Sequence, residues 1–460
     1  MQTRINLLAA VGILCLVLSG CFTSGGESSQ SSAAFQESTT TTQDSNISYK
    51  NDEGTILSSY GKSYLKDFGN GKRLLHLEGS DYEMGYAMGY LLPNEVRRIT
   101  SLEYYVAVVD MITGGSLRAL YIPWVEELAQ HIVAFLTDLQ LGQVPAEYIH
   151  EMQGVVDGVN AASPDQDKLQ FNDVILLNMA NDVLFTFLYK INALGMFNSC
   201  HGFVVTGDAT TDGRTLMGRH FMYPSVVFYE TALLIEYKPD TGNPFVSISA
   251  PGFVGVTAAM NSKGLAIGMD TLKSGDTNYF KAGMGTLLTA RRAIQYTNSL
   301  DEAVDMIQRT TRGVPWFYVI GDARGKGAVI ESTTNHFAVR YLDSSYPGQI
   351  EDKDNVVAVA NHALVPEIIA VEVPNPWWET YQRYAEMTNL ILENYGKIDT
   401  ARGREIIDFL HPGGEYSWRY GTDPDQPVSC SVTLFDLSAK EVWSLFGLYS
   451  DPWVHYTLPY

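Results

Sequence analysis

The sequence predicts an α+β protein whose sheets are covered by helices, and three observations carry that expectation. Residues 80–200 follow helical spacing, residues 200–345 break into short apolar runs between Asp/Gly turns, and the remainder mixes both kinds of segment. A composition of 45% hydrophobic and 18% charged residues over 460 positions supplies enough apolar material for a large core. In the helical part, Tyr86, Tyr90 and Leu91 recur at helical spacing, and Leu102–Leu141 has few breakers beyond Gly114, Gly115 and Pro123. A further apolar helix opens at Asn172-Asp173-Val174-Ile175 and runs to Tyr189.

The strand-rich part begins with Gly202–Thr206 and Thr215–Phe221, joined through a Thr211-Asp212-Gly213-Arg214 turn. Leu233–Tyr237, Val246–Ser249, Val254–Met260 and Leu265–Met269 follow as strands. A helical segment over Leu287–Gln308 precedes strands at Phe317–Ile320, Ala328–Glu331 and Phe337–Tyr341. Trp378–Tyr395 and Arg402–Leu410 read as helices, and Cys430–Leu437 with Lys440–Leu448 as a closing hairpin. Asp322 and Glu331 read as turn and solvent-face acids.

The N-terminus is of another kind. Arg4 precedes an apolar run from Ile5 to Leu18 that is short for a membrane span, and the run ends Leu18-Ser19-Gly20-Cys21. That ending resembles the lipobox of prokaryotic lipoproteins, in which the signal peptide is cut before a Cys that takes lipid. The expectation is a signal peptide over 1–20, lipid on Cys21 and an extracytoplasmic protein anchored to the cell membrane. Residues 21–48 are rich in Ser, Thr, Gln and Gly with few large apolar side chains, which predicts a disordered tether. A formal net charge of -21 argues against nucleic acid as a partner and against a basic grip on anionic membranes.

Beyond the leader, two cysteines remain, Cys200 and Cys430. They could form a disulfide in an oxidising compartment, or one could be a reactive thiol and the other a small buried hydrophobe. The surroundings of Cys200 favour the second reading. Asn198-Ser199-Cys200-His201-Gly202 opens a strand, the Asp-Gly turn reverses the chain, and Gly218-Arg219-His220 returns beside it. A cysteine nucleophile needs thiolate character, which a nearby cation or base supplies, and Arg219 and His220 are candidates. Arg219 could equally bind a substrate carboxylate. The nine histidines show neither HExxH spacing nor a paired CxxC, so neither a metal nor a cofactor is expected.

Four stretches together resemble the N-terminal-nucleophile (Ntn) cysteine hydrolases. They are Leu77–Gly89, the Cys200–Arg219 hairpin, Met260-Asn261-Ser262-Lys263-Gly264-Leu265-Ala266 and Ala360-Asn361-His362. Their order is similar to that in acyl-coenzyme A:6-aminopenicillanate acyltransferases, penicillin V acylases, bile salt hydrolases and phospholipase B-like proteins. The resemblance implies a four-layer αββα sandwich and self-cleavage between Ser199 and Cys200. A mostly helical α-chain or pro-region (49–199) would stay with a β-chain (200–460). It further implies that Cys200 attacks the acyl carbonyl of a small linear amide, its own α-amine acting as base and Asn361 stabilising the oxyanion. Arg219 matches the family arginine. Asp270 or Thr271 falls where relatives place an oxyanion helper, and Arg383 matches a late arginine assigned with Thr271 to substrate binding.

One position departs from the penicillin and bile-salt amidase pattern: Met222 stands where an Asp holds the α-amine. Either another acid such as Asp270 fills that role, or the Gly218–Tyr223 stretch follows the phospholipase B-like pattern and His220 joins the site. Three readings therefore stand beside amide hydrolysis or acyl transfer: a lipid ester hydrolase on the same site, an uncut Cys200–His220 thiol protease, and a non-catalytic ligand-binding lipoprotein.

Overall fold

The alternating apolar runs fold into two sheets packed face to face. The computed structural model describes residues 47–48, 54–69, 71–101, 104, 140–190, 200–222, 228, 230–278, 280–281, 283–346, 353–373, 378–418, 421–428 and 430–460. The predicted leader, Cys21, most of the predicted tether, Ser199 and nearly all of Leu102–Leu141 lie outside the described residues.

Among the described residues one sheet has seven strands, in the order β1 (Ile47–Ser48), β17 (Val454–Thr457), β16 (Glu441–Leu445), β15 (Ser431–Asp436), β6 (Gly213–Phe221), β5 (His201–Gly207), β14 (Val356–Val359). The other has ten: β13 (Phe337–Tyr341), β12 (Lys326–Ser332), β11 (Trp316–Asp322), β10 (Leu265–Thr271), β9 (Ala258–Asn261), β8 (Phe245–Ser249), β7 (Leu233–Pro239), β4 (Arg73–Gly79), β3 (Ser63–Asp67), β2 (Thr55–Tyr60). The β1–β17 and β4–β7 pairs are parallel and the others antiparallel.

Three apolar clusters order the layers. Val204, Met217, Val359 and Phe435 of the smaller sheet meet Val246, Ala266, Val319 and Val329 of the larger one. The opposite face of the larger sheet lies under α1 (Asp81–Leu91), α2 (Pro93–Ile99), α3 (Ala146–Ala162), α4 (Phe171–Lys190), α5 (Thr286–Tyr296) and α6 (Leu300–Arg309). The smaller sheet is covered by α8 (Trp378–Glu393) and α9 (Thr400–Ile407), while a short α7 (Pro366–Ile369) follows β14. Helix, sheet, sheet, helix is the layering that period-2 alternation in strands and apolar stripes on helices demand.

Residues 55–79, part of the stretch 49–199 expected to be mostly helical, instead form β2–β4 and extend the larger sheet. β2 is exposed along its whole length and so lacks the alternation that announces a strand. Expected Val254–Met260 shortens to β9 because the Asn178 side chain takes the backbone there: Oδ1 accepts from Val254 N (2.7 Å) and Gly255 N (3.1 Å). The single helix expected over Leu287–Gln308 divides into α5 and α6, with Ser299 capping α6 through Glu302 N. Glu331 is not a solvent-face acid but is fully buried, its charge met by Arg340 Nε at 2.6 Å. Asp322 is a turn acid, accepting from Arg324 N at 2.9 Å, yet it too is buried, since it also takes Leu300 N at 3.1 Å.

α1 and α3 cross with their backbones in contact, which explains the spacing Gly85-x-x-x-Gly89 against Gly154-x-x-x-Gly158. A Cβ at Gly85 would stand 1.9 Å from Glu151 O, one at Gly89 2.2 Å from Val155 O, and one at Gly158 2.1 Å from Tyr86 O. Beneath this crossing Glu151 and Arg291 form a buried ion pair at 3.0 Å, tying α3 to α5. Gly85→Ala should therefore destabilise the fold by at least about 1–3 kcal/mol, the usual range for overpacking. The urea midpoint reads this, and an unchanged midpoint would show that the helices can part without cost.

Candidate active site

The Asp212-Gly213 turn closes the β5–β6 hairpin as expected, with Gly213 in the left-handed region at φ 80°. The register pairs His201 with His220 and Gly202 with Arg219. Neighbouring strand residues point to opposite faces, so Arg219 and His220 part company. Arg219 enters the space between the sheets, where β10 carries no side chain at Gly268; a Cβ there would lie 2.7 Å from Arg219 Cδ. An isolated Gly inside a strand signals such a close approach, and it is the one sequence cue to this contact.

The Arg219 guanidinium donates to the carbonyls of His220 and Met269 and lies 3.5 Å from Asp270 Oδ1. Arg219 and Asp270 are both fully buried. Burial works against the Arg219 cation, but the negative charge of Asp270, then of a Cys200 thiolate, outweighs it and raises its pKa. Burial pushes the Asp270 carboxyl up to about 6, with Arg219 and Arg383 opposing the shift. Neither Asp270 oxygen has a hydrogen-bond partner among the described residues.

Cys200 precedes β5, is 3% exposed, and its Sγ lies 3.7 Å from Met222 O. Met222 is buried in the same apolar cluster, and the carboxylate beside Arg219 is that of Asp270, from the opposite sheet. Cys430, like Cys200, is buried and not part of a disulfide among the described residues.

Asn361 follows β14 and is fully buried. Its Oδ1 accepts from Arg383 Nη2 at 3.0 Å, which fixes the amide orientation, because arginine only donates. Its Nδ2 then donates to Thr271 O (2.9 Å) and Thr271 Oγ1 (3.1 Å). Arg383, on α8, also donates from Nη1 to Cys200 O at 2.7 Å. One guanidinium thus joins the cysteine backbone to the Asn361 side chain. Thr380, which the sequence reading does not single out, accepts from Asn361 N at 2.9 Å and sits 3.0 Å from His362 Nδ1. Burial, then Arg383 and Arg340, push His362 down to about 3, so it is neutral at ordinary pH.

His220 occupies the other face of the sheet, its ring 5.0 Å from that of His201 and its Nε2 3.5 Å from Tyr449 Oη. His201 is fully buried and packs on Phe409. Burial, followed by His220 and Arg383, lowers its pKa well below the ordinary value. Ser199 and Tyr223 lie outside the described residues. The described residues hold no group of three or more His, Cys, Asp or Glu that could bind a metal ion.

A family model described as acyl-coenzyme A:6-aminopenicillanic acid acyl-transferase matches residues 208–447, more than half the chain. The match begins after Cys200 and spans Arg219, Asp270, Thr271, Asn361 and Arg383. An uncharacterized protein of Archaeoglobus fulgidus is 46% identical over 420 residues, which cover 86% of this chain and 67% of that protein. Protein dcd1B of Dictyostelium discoideum is 24% identical over 324 residues, covering 68% of this chain and 59% of its own length. Among solved structures, a Caenorhabditis elegans N-acylethanolamine-hydrolyzing acid amidase ortholog aligns at 13% identity and a TM-score of 0.40, over 52% of this chain and 93% of that one.

Proposed function

This chain belongs to the acyl-coenzyme A:6-aminopenicillanic acid acyl-transferase family of the Ntn-hydrolase superfamily, and from that premise we propose that it is a self-processing cysteine amidase or acyltransferase. Its substrate is the acyl group of a small linear amide. The observation that supports this most is convergence: Cys200, Arg219 with Asp270, and Arg383 with Asn361 meet at one end of the two sheets.

In the precursor, the Cys200 thiol attacks the Ser199 carbonyl and the amide nitrogen leaves as the Cys200 α-amine, giving a thioester that water hydrolyses. In the cut enzyme the α-amine takes the Sγ proton and the thiolate adds to the substrate carbonyl. The ammonium returns the proton to the leaving nitrogen, and the acyl thioester passes to water or to an acceptor amine. Asn361 supplies a preorganised amide donor for the oxyanion once substrate displaces Thr271 from it. Arg219 stands by as the cation for the thiolate, and Asp270 balances Arg219 in place of the acid that Met222 lacks. Strand alternation carries His220 to the face opposite Arg219, and it is Arg219 whose cation responds to a Cys200 thiolate, which favours this reading over those that use His220.

The lipid anchor on Cys21 and the extracytoplasmic site remain part of the proposal on the strength of the N-terminal motif. No helix among the described residues is long and apolar enough to cross a membrane. Mass spectrometry of the native N-terminus tests acylation.

The central experiment is to purify residues 22–460, separate the product under denaturing conditions and sequence each N-terminus. A fragment starting Cys200-His201-Gly202 supports the proposal; a fully active uncut chain sinks it. Turnover should also fall as pH drops through about 6, where Asp270 protonates. The effect on stability runs the other way. A carboxyl whose folded pKa is raised above about 3.9 stabilises the fold below that value and loses the contribution as pH rises through about 6. Rate profiles and urea midpoints of wild type and Asp270→Asn separate the two, and an acid limb that survives in Asp270→Asn would assign it to another group.

A further inference from the structure

The loop from Asn361 to Val365 holds its amide hydrogens in an unusual way: side chains from three other elements receive them. Asn361 N donates to Thr380 Oγ1 (2.9 Å) from α8. Ala363 N donates to both oxygens of Glu372 (3.3 Å each) from the segment after α7. Leu364 N (3.1 Å) and Val365 N (3.1 Å) donate to Glu331 Oε2, with Leu364 N also 3.2 Å from Oε1. Glu331 is therefore the acceptor for two successive amides, and it comes from β12 of the larger sheet, whereas Asn361 follows β14 of the smaller one.

Arg340, on the neighbouring strand β13, completes the connection. Its Nε donates to Glu331 Oε1 at 2.6 Å and its Nη2 to Ala358 O, within β14, at 3.0 Å. Glu331 and Arg340 are both fully buried. A buried ion pair is weak evidence for stability, since desolvation offsets most of the attraction, so its placement calls for another explanation. Here the pair grips both sides of Asn361, the strand before it and the loop after it. We infer that Glu331, held by Arg340, is a positioning residue that fixes the Asn361 amide for its role at the reacting carbonyl. The inference rests on the amidase reading. A donor displaced by about 1 Å loses on the order of 10²-fold in rate, and an interaction made only in the transition state shows in kcat rather than KM.

The test is a double-mutant cycle on residues 22–460, with straight-chain acyl 4-nitroanilides as probe and rates normalised to the fraction of Cys200 that is alkylated. Glu331→Gln should lower kcat by about 10–100-fold with KM nearly unchanged. In an Asn361→Ala background it should cost almost nothing more, because the group it positions is gone. Losses that multiply independently, or a Glu331→Gln enzyme with wild-type kcat, overturn the inference. If Glu331→Gln does not fold, Arg340→Lys enters the same cycle and is read in the same way. If Asn361→Ala itself leaves turnover untouched, the amidase reading fails instead. Amide hydrogen exchange then judges the brace alone: Leu364 and Val365 should exchange faster in either variant, and unchanged exchange refutes it.

Discussion

Cys200→Ala should remain a single uncut chain and show amide turnover at the uncatalysed background, a loss of about 10⁴–10⁶-fold. Both effects share one cause, since the same Sγ is required for the cut and for acyl transfer. The thiol is 3% exposed and its backbone carbonyl is fixed by Arg383 at 2.7 Å, so the substitution removes an atom from a site whose frame persists. A buried Cys→Ala change removes little apolar volume, and the melting temperature should move by only a few degrees. Cys430→Ala makes the contrast. That residue packs in the core under the helical layer, and its loss should leave cutting and turnover within a few-fold of wild type. Denaturing gels and an amide assay read both variants, and a Cys200→Ala chain that still divides before residue 200 would place the nucleophile elsewhere.

The two outcomes at Cys200 also bear on the helical half of the chain. Strands β2–β4, the α1–α3 crossing and the Glu151–Arg291 pair belong to residues before the proposed cut, or link them to residues after it. β4 alone pairs with β7 over six positions. A cut at Ser199–Cys200 therefore leaves two chains sharing one sheet and one core, and they should separate only under denaturing conditions.

Much of this was legible in the sequence where the determinants are local. Asp212-Gly213 predicts the hairpin because a tight turn needs a residue tolerant of positive φ, and, Val254–Met260 apart, the apolar runs from Leu233 to Tyr341 appear as strands within a residue or two. The family resemblance implies Arg219, Asp270, Asn361 and Arg383, and the fold brings them together. What failed depended on partners distant in the chain. Glu331 looks like any strand acid until Arg340 and two amides from residues 364 and 365 surround it. Val254 looks like a strand residue until Asn178, 76 positions away, takes its amide. Arg219 and His220 appeared as one pair near the thiol; the alternation of the strand sends them to different faces, and the pairing register had to be known to choose which one goes inward.

Arg219→Met should be the most damaging single change short of removing the nucleophile, and for a separable reason. Arg219 and Asp270 are each fully buried, so taking away the cation leaves a carboxylate without its charge partner at a cost of about 3–5 kcal/mol. Asp270, already pushed up to about 6 by burial, will rise further once Arg219 no longer opposes that shift. Its stabilising contribution is then present at low pH and lost as pH rises, so Arg219→Met should be closest to wild-type stability near pH 4 and furthest from it near pH 8. Adding Asp270→Asn removes the stranded charge, and the double variant should regain much of the lost stability at pH 8. Turnover should not return, because the thiolate still lacks its cation. Urea midpoints across pH for the four proteins of the cycle test this. A double variant no more stable than Arg219→Met would mean that the pair acts through packing rather than charge, whereas recovery of turnover along with stability would remove Arg219 from the proposed chemistry.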